Sequence, residues 1–300
     1  MFIILSSLLA ISSSSWVMMW VFMEMNSLAL CGMMSKELKK NSMTSSPSMF
    51  YLLVQLPASI IFLIFMTSNP NSKTIMCMGI LVMMIKSGAF PFHMWYLKTL
   101  GLLNMSSPSM KMIMTWQKII PFFILSYFKL WELLVILGLM NMLIPLVKMS
   151  KLSSMKSILV LSSINNNSWF MMSSLLSFMI LSLYFMIYSL SLLITMSFLK
   201  SVKKKSFILK ENPMETMLVI MNLGGIPPSV MFLGKMIIFT LLVKMNLPKE
   251  IMMLMLMMAC YFMYHYLWCT FPYLMNTPLK SQNQVMNKNT TFMLTLMMLL

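Results

Sequence analysis

Four ionisable side chains stand where the surrounding sequence leaves them little water: Glu24, Lys86, Lys118 and Lys235. Lys86 has no other charged residue within eleven positions, and Lys235 lies nine residues from its nearest charge, Lys244. Lys118 follows Lys111 by seven residues, two turns deeper on the same face if the helix is continuous. Glu24 falls midway along the apolar stretch Trp16–Met34. A charge at the centre of a bilayer costs at least about 2.5–3.5 kcal/mol, so such groups need a reason. Snorkelling is an alternative for Lys111 and for Lys118, but a midspan Lys86 is about 15 Å from either surface, beyond its own reach. Glu24 can neutralise one lysine and not three. An ammonium held out of water releases its proton more readily than one in solvent, which is the property a proton carrier needs. Two readings stand: a relay of protons, or a set of structural ion pairs.

The neighbours of these lysines favour the relay. Lys86 is followed by Gly88 and Pro91, Lys118 by Pro121, and Lys235 is preceded by Gly224, Gly225, Pro227 and Pro228. Proline removes a helix hydrogen bond, and broken helices at membrane depth survive where the freed backbone meets protein or water, as ion transporters arrange it. His93, seven residues after Lys86, would share its face in an unbroken helix and is either a further relay group or an interfacial histidine. His265, between Tyr264 and Tyr266, is read as a packing residue. The polar run Ser162 to Ser168 either lines a hydrated path or bonds neighbouring helices. Lys129 and Glu132 are expected to form a solvated pair at a span boundary.

The elements that position these groups follow from composition. Hydrophobic residues make up 59% of the 300 and charged residues 9%, against roughly 25% charged in a soluble domain. Mean hydropathy is +0.84. Residues 1–23, 41–72, 157–199 and 251–279 carry no charged side chain, and about 20 apolar residues cross a bilayer as a helix. Runs such as Ile251 to Cys260 are apolar on every side, unlike the alternating strands of a membrane barrel. The fold class is therefore all-α: a polytopic transmembrane bundle of about 10–11 helices, forming one integral membrane domain over 1–300 with no soluble domain. Spans are expected at 1–14, 16–34, 47–67, 74–97, 109–128, 131–147, 153–173, 175–199, 213–243, 250–273 and 290–300, the first and last too short to cross unaided.

Charge usage orients the bundle. Every one of the 22 basic residues is Lys and every one of the 6 acids is Glu, while Met reaches 45. That bias points to an AT-rich animal mitochondrial genome, and it makes the methionine stripes lipid-facing or core filler. Of the 19 lysines outside the three buried positions, fifteen fall after even-numbered spans and four after odd ones. By the positive-inside rule the N-terminus then lies on the positive side, the matrix in that organelle. The net charge of +16 is spread between apolar runs rather than gathered on a face with stacking aromatics, so nucleic acid is not the expected partner. Cys31, Cys77, Cys260 and Cys269 lack C-x-x-C spacing, which argues against metal or iron–sulfur ligation. The glycines form no dinucleotide fingerprint. A cleaved signal peptide is not expected, because residues 1–23 lack a basic start and a small-residue exit.

The same residues carry a resemblance. W-x-x-x-W-x-x-x-E-M at 16–25, K-S-G-A-F-P-F-H-M-W at 86–95, T-W-Q-K-I-I-P at 115–121, L-S-S-I-N-N-N-S-W at 161–169, and L-G-G-I-P-P with F-L-G-K at 223–235 resemble the chain-2 family of mitochondrial complex I. The motifs occur in that family's order over most of the chain. The resemblance implies an antiporter-like membrane subunit of a proton-translocating NADH:ubiquinone oxidoreductase, in which Glu24 pairs with Lys86, Lys118 is the central relay lysine and Lys235 the exit-side lysine. It implies no cofactor on this chain, with NADH, FMN, Fe–S clusters and ubiquinone served by other subunits, and a hetero-oligomer with other antiporter-like subunits and lipids in the mitochondrial inner membrane. It also implies one interrupted helix at 213–243. The chain departs from the family in Ser87 and Phe90, in Asn165 to Asn167 where a histidine is often found, and in an expected shortening at its N-terminus and in several loops. An inert structural subunit and a stand-alone cation/proton antiporter are the rival expectations.

Overall fold

The computed structural model describes residues 2–38, 46–67, 73–105, 107–128, 130–149, 155–202, 221–227 and 229–275. These hold twelve helices: α1 (Phe2–Ser12), α2 (Trp16–Leu38), α3 (Pro47–Thr67), α4 (Lys73–Ser87), α5 (Met94–Leu102), α6 (Pro108–Met114), α7 (Trp116–Leu125), α8 (Trp131–Met149), α9 (Met155–Leu176), α10 (Phe178–Val202), α11 (Val230–Lys244) and α12 (Lys249–Met275). Residues 221–224 are also helical. The expected last span at 290–300, the start of the 213–243 span and Lys129 lie outside the described residues.

The bundle is inside-out relative to a soluble protein. α3 turns Met49, Leu53, Ile60 and Ile64 outward and buries Tyr51, Gln55, Ala58, Ser59 and Phe62. α10 likewise exposes Met179, Leu183, Met186 and Leu190 while burying Tyr184, Tyr188, Ser191 and Thr195. The polar stripe faces protein and the apolar stripe faces out, as a hydrocarbon surround requires. Among the described residues, five helices are long and apolar enough to cross a membrane: Trp16–Glu37, Pro47–Thr67, Trp131–Met149, Phe178–Ser197 and Lys249–Trp268. Serines survive in the bundle by donating to the carbonyl three residues back, as Ser59 on α3 does to Leu56 and Ser163 on α9 to Val160, each at 2.7 Å. The chain is a multi-pass membrane protein.

Three of the expected spans are interrupted. α4 and α5 are one span broken at 88–93, where Gly88 takes φ 68°. Residues 221–224 and α11 are parted at 225–229, with Gly225 at φ 75° and Ser229 capping Phe232 N through its hydroxyl. The third break corrects the sequence reading. Pro121 stays inside α7, and the helix parts instead at Thr115 (φ −112°, ψ −87°), so Lys111 and Lys118 lie on different helices. Several lysines expected in loops also sit inside helices, among them Lys36, Lys98 and Lys148, because α2, α5 and α8 run past the expected span ends. α7 packs on α1, α2, α4, α6, α9 and α10, and α9 packs on α5, α7, α8, α10 and α11. Whatever these two helices carry is held at the centre of the bundle.

Candidate functional site: a chain of buried ions through the bundle

Lys86 is the penultimate residue of α4, so its own carbonyl is among those that a helix end leaves without a partner. Side chains from four other helices take these carbonyls. Gln55 Nε2 and Gln117 Nε2 donate to Lys86 O at 3.4 and 3.3 Å, and Trp95 Nε1 donates to Ile85 O at 2.9 Å. Asn167 Nδ2 donates to Ser87 O at 3.5 Å. Across the break, Phe90 N–H donates to Asn141 Oδ1 at 2.8 Å. The interruption is thus built into the core by amide side chains, which satisfy backbone where water is scarce.

The Lys86 ammonium lies 3.8 Å from Glu24 Oε1, with 5% and 15% of the two side chains exposed. Ser27 steadies the carboxylate from the next turn, its hydroxyl donating to Glu24 O at 2.8 Å and lying 3.4 Å from Oε2. The pairing expected of Glu24 and Lys86 is therefore present in the geometry.

Lys118 is 1% exposed and meets no carboxylate among the described residues. Its ammonium donates to Ser163 O and Asn167 Oδ1, both at 2.8 Å, and lies 5.0 Å from the Tyr96 ring centroid and 5.8 Å from that of Tyr188. The Tyr96 hydroxyl shares a 2.8 Å hydrogen bond with Ser163 Oγ. Neutral oxygens and ring faces hold the cation, which suits a group that alternates between charged and neutral forms better than a fixed anion would. Asn167 touches both the Lys118 ammonium and the end of α4, linking the first two lysines through one side chain.

Lys235 reaches back across the 225–229 break. Its ammonium donates to Gly224 O at 3.3 Å, the end of the preceding helical segment, and lies 6.0 Å from the Trp169 ring centroid. Trp169 stands two residues after Asn167 on α9, so that helix separates and connects the Lys118 and Lys235 sites.

His93 is placed differently from what a continuous helix would give. It lies in the α4–α5 break, so the face it would share with Lys86 does not exist. Its Nε2 instead meets Lys148 Nζ at 2.6 Å, near the end of α8. His265 is buried and packs edge-on against Tyr261 at 4.6 Å between centroids, as a packing histidine does.

The residues that sequence reasoning did not single out are the neutral ones. Gln55 and Asn141 are isolated amides in apolar spans, and that isolation was the available signal; Gln117 stands beside Lys118 within the 115–121 motif. Tyr96, the residue after the 86–95 motif, carried no signal of its own. Glu37, at the end of α2, was not singled out either. It accepts from Ser109 N at 3.0 Å and from the Ser109 hydroxyl, clamping α2 to the start of α6.

No family model matches the chain. Among curated proteins it is 31% identical over 261 residues to NADH-ubiquinone oxidoreductase chain 2 of Anopheles gambiae, a match covering 81% of this chain and 76% of that one. With the chain of the same name from Locusta migratoria it shares 30% over 288 residues, covering 90% and 82%. Among solved structures it superposes on a chain of respiratory complex I from Thermus thermophilus with bound aureothin at a TM-score of 0.79 and 16% identity, covering 99% of this chain and 75% of that chain. A chain of the Mrp complex from Dietzia sp. DQ12-45-1b gives a TM-score of 0.76 at 14% identity, covering 96% and 62%. The two solved structures share the fold, an all-helical bundle. Identity of 30% and more across most of both chains goes further: the chain belongs to the NADH-ubiquinone oxidoreductase chain 2 family.

Proposed function

We propose that this chain, one membrane domain over residues 1–300, carries a proton path through Glu24, Lys86, Lys118 and Lys235 in the membrane arm of a respiratory NADH:ubiquinone oxidoreductase. The observation that carries the reading is the imbalance of the buried ions: three ammonium groups, 4%, 1% and 6% exposed, set against the single ion pair among the described residues, that of Lys86 with Glu24. A purely structural cation is usually held by a fixed anion; Lys118 and Lys235 are held by neutral oxygens and rings beside helix breaks. Redox energy released in other subunits shifts the Glu24–Lys86 pair, Lys86 exchanges its proton, and the charge steps through Lys118 to Lys235. The interacting groups titrate as a set. His93, bonded to Lys148 at the end of α8, is a candidate to supply protons from that side.

In this reading NADH, FMN, Fe–S clusters and ubiquinone belong to other subunits, the partners are further antiporter-like subunits and lipids, and the site is the mitochondrial inner membrane with the N-terminus in the matrix. Lys118→Ala tests it. In the assembled complex reconstituted into liposomes, proton pumping coupled to quinone reduction is expected to fall by at least about tenfold while the complex still assembles. Unchanged protons per electron, with less assembled complex, would make the lysines structural. Cation/proton exchange by the chain alone in liposomes would make it a self-sufficient antiporter.

A further inference from the structure

Between α2, α3, α4 and α7 lies a cavity with about 20 Å³ open to a water molecule, bordered by Asn26, Ser27, Gln55, Lys86 and Gln117. A site needs about 10–15 Å³ on this measure, and two to four polar partners, to hold one water. Those partners are present and otherwise unused. Asn26 and Gln117 are 3% and 7% exposed, and Asn26 Oδ1 and Gln117 Oε1 have no hydrogen-bond partner among the described residues. Gln117 is oriented by its other end, because Nε2 is committed to Lys86 O. Lys86 adds the donor: it borders the same cavity, and its ammonium pairs with Glu24 only at 3.8 Å, too long for a hydrogen bond. One water offers two O–H donors for two waiting acceptors, and a lone pair for an N–H.

We propose that this cavity is a water-binding site in which the bound molecule accepts from Lys86 and donates to Asn26 Oδ1 and Gln117 Oε1, making Asn26 and Gln117 positioning residues for proton exchange at Lys86. The consequence for transport rests on the proton path above; the binding itself does not. In the exchange step one N–H bond of Lys86 breaks, one O–H bond forms, and the positive charge moves from nitrogen to oxygen, where two amide oxygens face it. Gln117 is next to Lys118 in sequence, and adjacent positions on a helix point about 100° apart. α7 therefore addresses the Lys86 cavity with one residue and α9 with the next.

The test uses the assembled, membrane-embedded complex and water itself as the probe, comparing redox-induced infrared difference spectra in H₂¹⁶O and H₂¹⁸O. A buried-water O–H band that shifts with ¹⁸O is expected in the wild type and is expected to vanish in Gln117→Met and in Asn26→Leu. Gln117→Glu keeps an oxygen but gives up the bond to Lys86 O, so it separates the two ends of the amide: it should keep the band and most of the pumping, while Gln117→Met loses pumping by at least about tenfold. Persistence of the band in both Gln117→Met and Asn26→Leu, or equal impairment by Glu and Met with the band unchanged, overturns the proposal. Lys86→Met distinguishes this from failure of the proton path. A band in the wild type with normal pumping by Lys86→Met sinks the path and leaves the water site. No band in the wild type, with pumping abolished by Lys86→Met, does the reverse.

Discussion

At the α4–α5 interruption the lysine comes before the break, and at the 225–229 interruption it comes after. Lys86 stands one residue before the end of α4, yet the carbonyls at that helix end are taken by Gln55, Gln117, Trp95 and Asn167. The ammonium is left to a carboxylate on another helix, Glu24. Lys235 sits on the second half of its span and reaches back to a carbonyl at the end of the first, Gly224 O, with the Trp169 face beside it. The negative end of a helix dipole serves a cation directly there, whereas at Lys86 neutral amides occupy it. The difference teaches what holds each cation: the Lys86 charge faces a carboxylate on a neighbouring helix, and the Lys235 charge faces fixed backbone.

The sharpest way to break this comparison is to remove the carboxylate. Deleting one partner of a buried pair leaves an uncompensated charge and costs about 3–5 kcal/mol, with Glu24, partly exposed, near the lower figure. Glu24→Gln is expected to lower the thermal midpoint of the assembled complex and to abolish coupled pumping. The double variant Glu24→Gln with Lys86→Met should recover the midpoint but not the pumping, since both charges are gone. A midpoint that the second substitution fails to recover would show that the pair is not the source of the cost.

The two glycines offer the next test, of smaller effect. Both have positive φ, where an added Cβ strains the backbone by about 1–2 kcal/mol. At Gly88 that Cβ would stand 2.7 Å from Tyr96 Cβ, an anchored atom whose ring lies beside Lys118. At Gly225 it would stand 2.9 Å from Lys235 Nζ, the free end of a flexible side chain. Gly88→Ala is therefore expected to reduce the amount of assembled complex on native gels by severalfold. Gly225→Ala should assemble nearly normally while displacing the ammonium from Gly224 O, so pumping falls more than stability. The opposite ranking would mean that the second break, and not the first, is the rigid one.

What was legible in the sequence follows from what charge and proline do at membrane depth. Glu24, Lys86, Lys118 and Lys235 announce themselves because a charge in an apolar run is expensive, and all four are found inside the bundle. The interruptions near Lys86 and Lys235 were legible because glycine and proline cluster there. The break at Thr115 was not, since no breaker marks it and Pro121 is accommodated within α7. The neighbour of His93 was hidden for a different reason: its partner Lys148 lies 55 residues away in the chain, on α8. The neutral acceptors of Lys118 were visible as a polar run, but which of them face the ammonium is set by the rotation of α9, a matter of packing that one-dimensional spacing leaves open.

The smallest expected effect tests whether the amides at the end of α4 are a shared support. Lys86 O has two lone pairs and two amide donors, Gln55 Nε2 at 3.4 Å and Gln117 Nε2 at 3.3 Å. In Gln55→Leu the carbonyl keeps one donor, so no buried acceptor is orphaned and the loss is that of one long neutral hydrogen bond, at most about 1 kcal/mol. The thermal midpoint of the complex should move little, and pumping should stay at the wild-type level because Glu24, Lys86 and the oxygen of Gln117 are untouched. A loss approaching that of Glu24→Gln would mean that the carbonyl end of α4, and not the carboxylate of α2, governs the Lys86 charge. The contrast drawn between the two interruptions would then collapse into a single mechanism based on backbone dipoles.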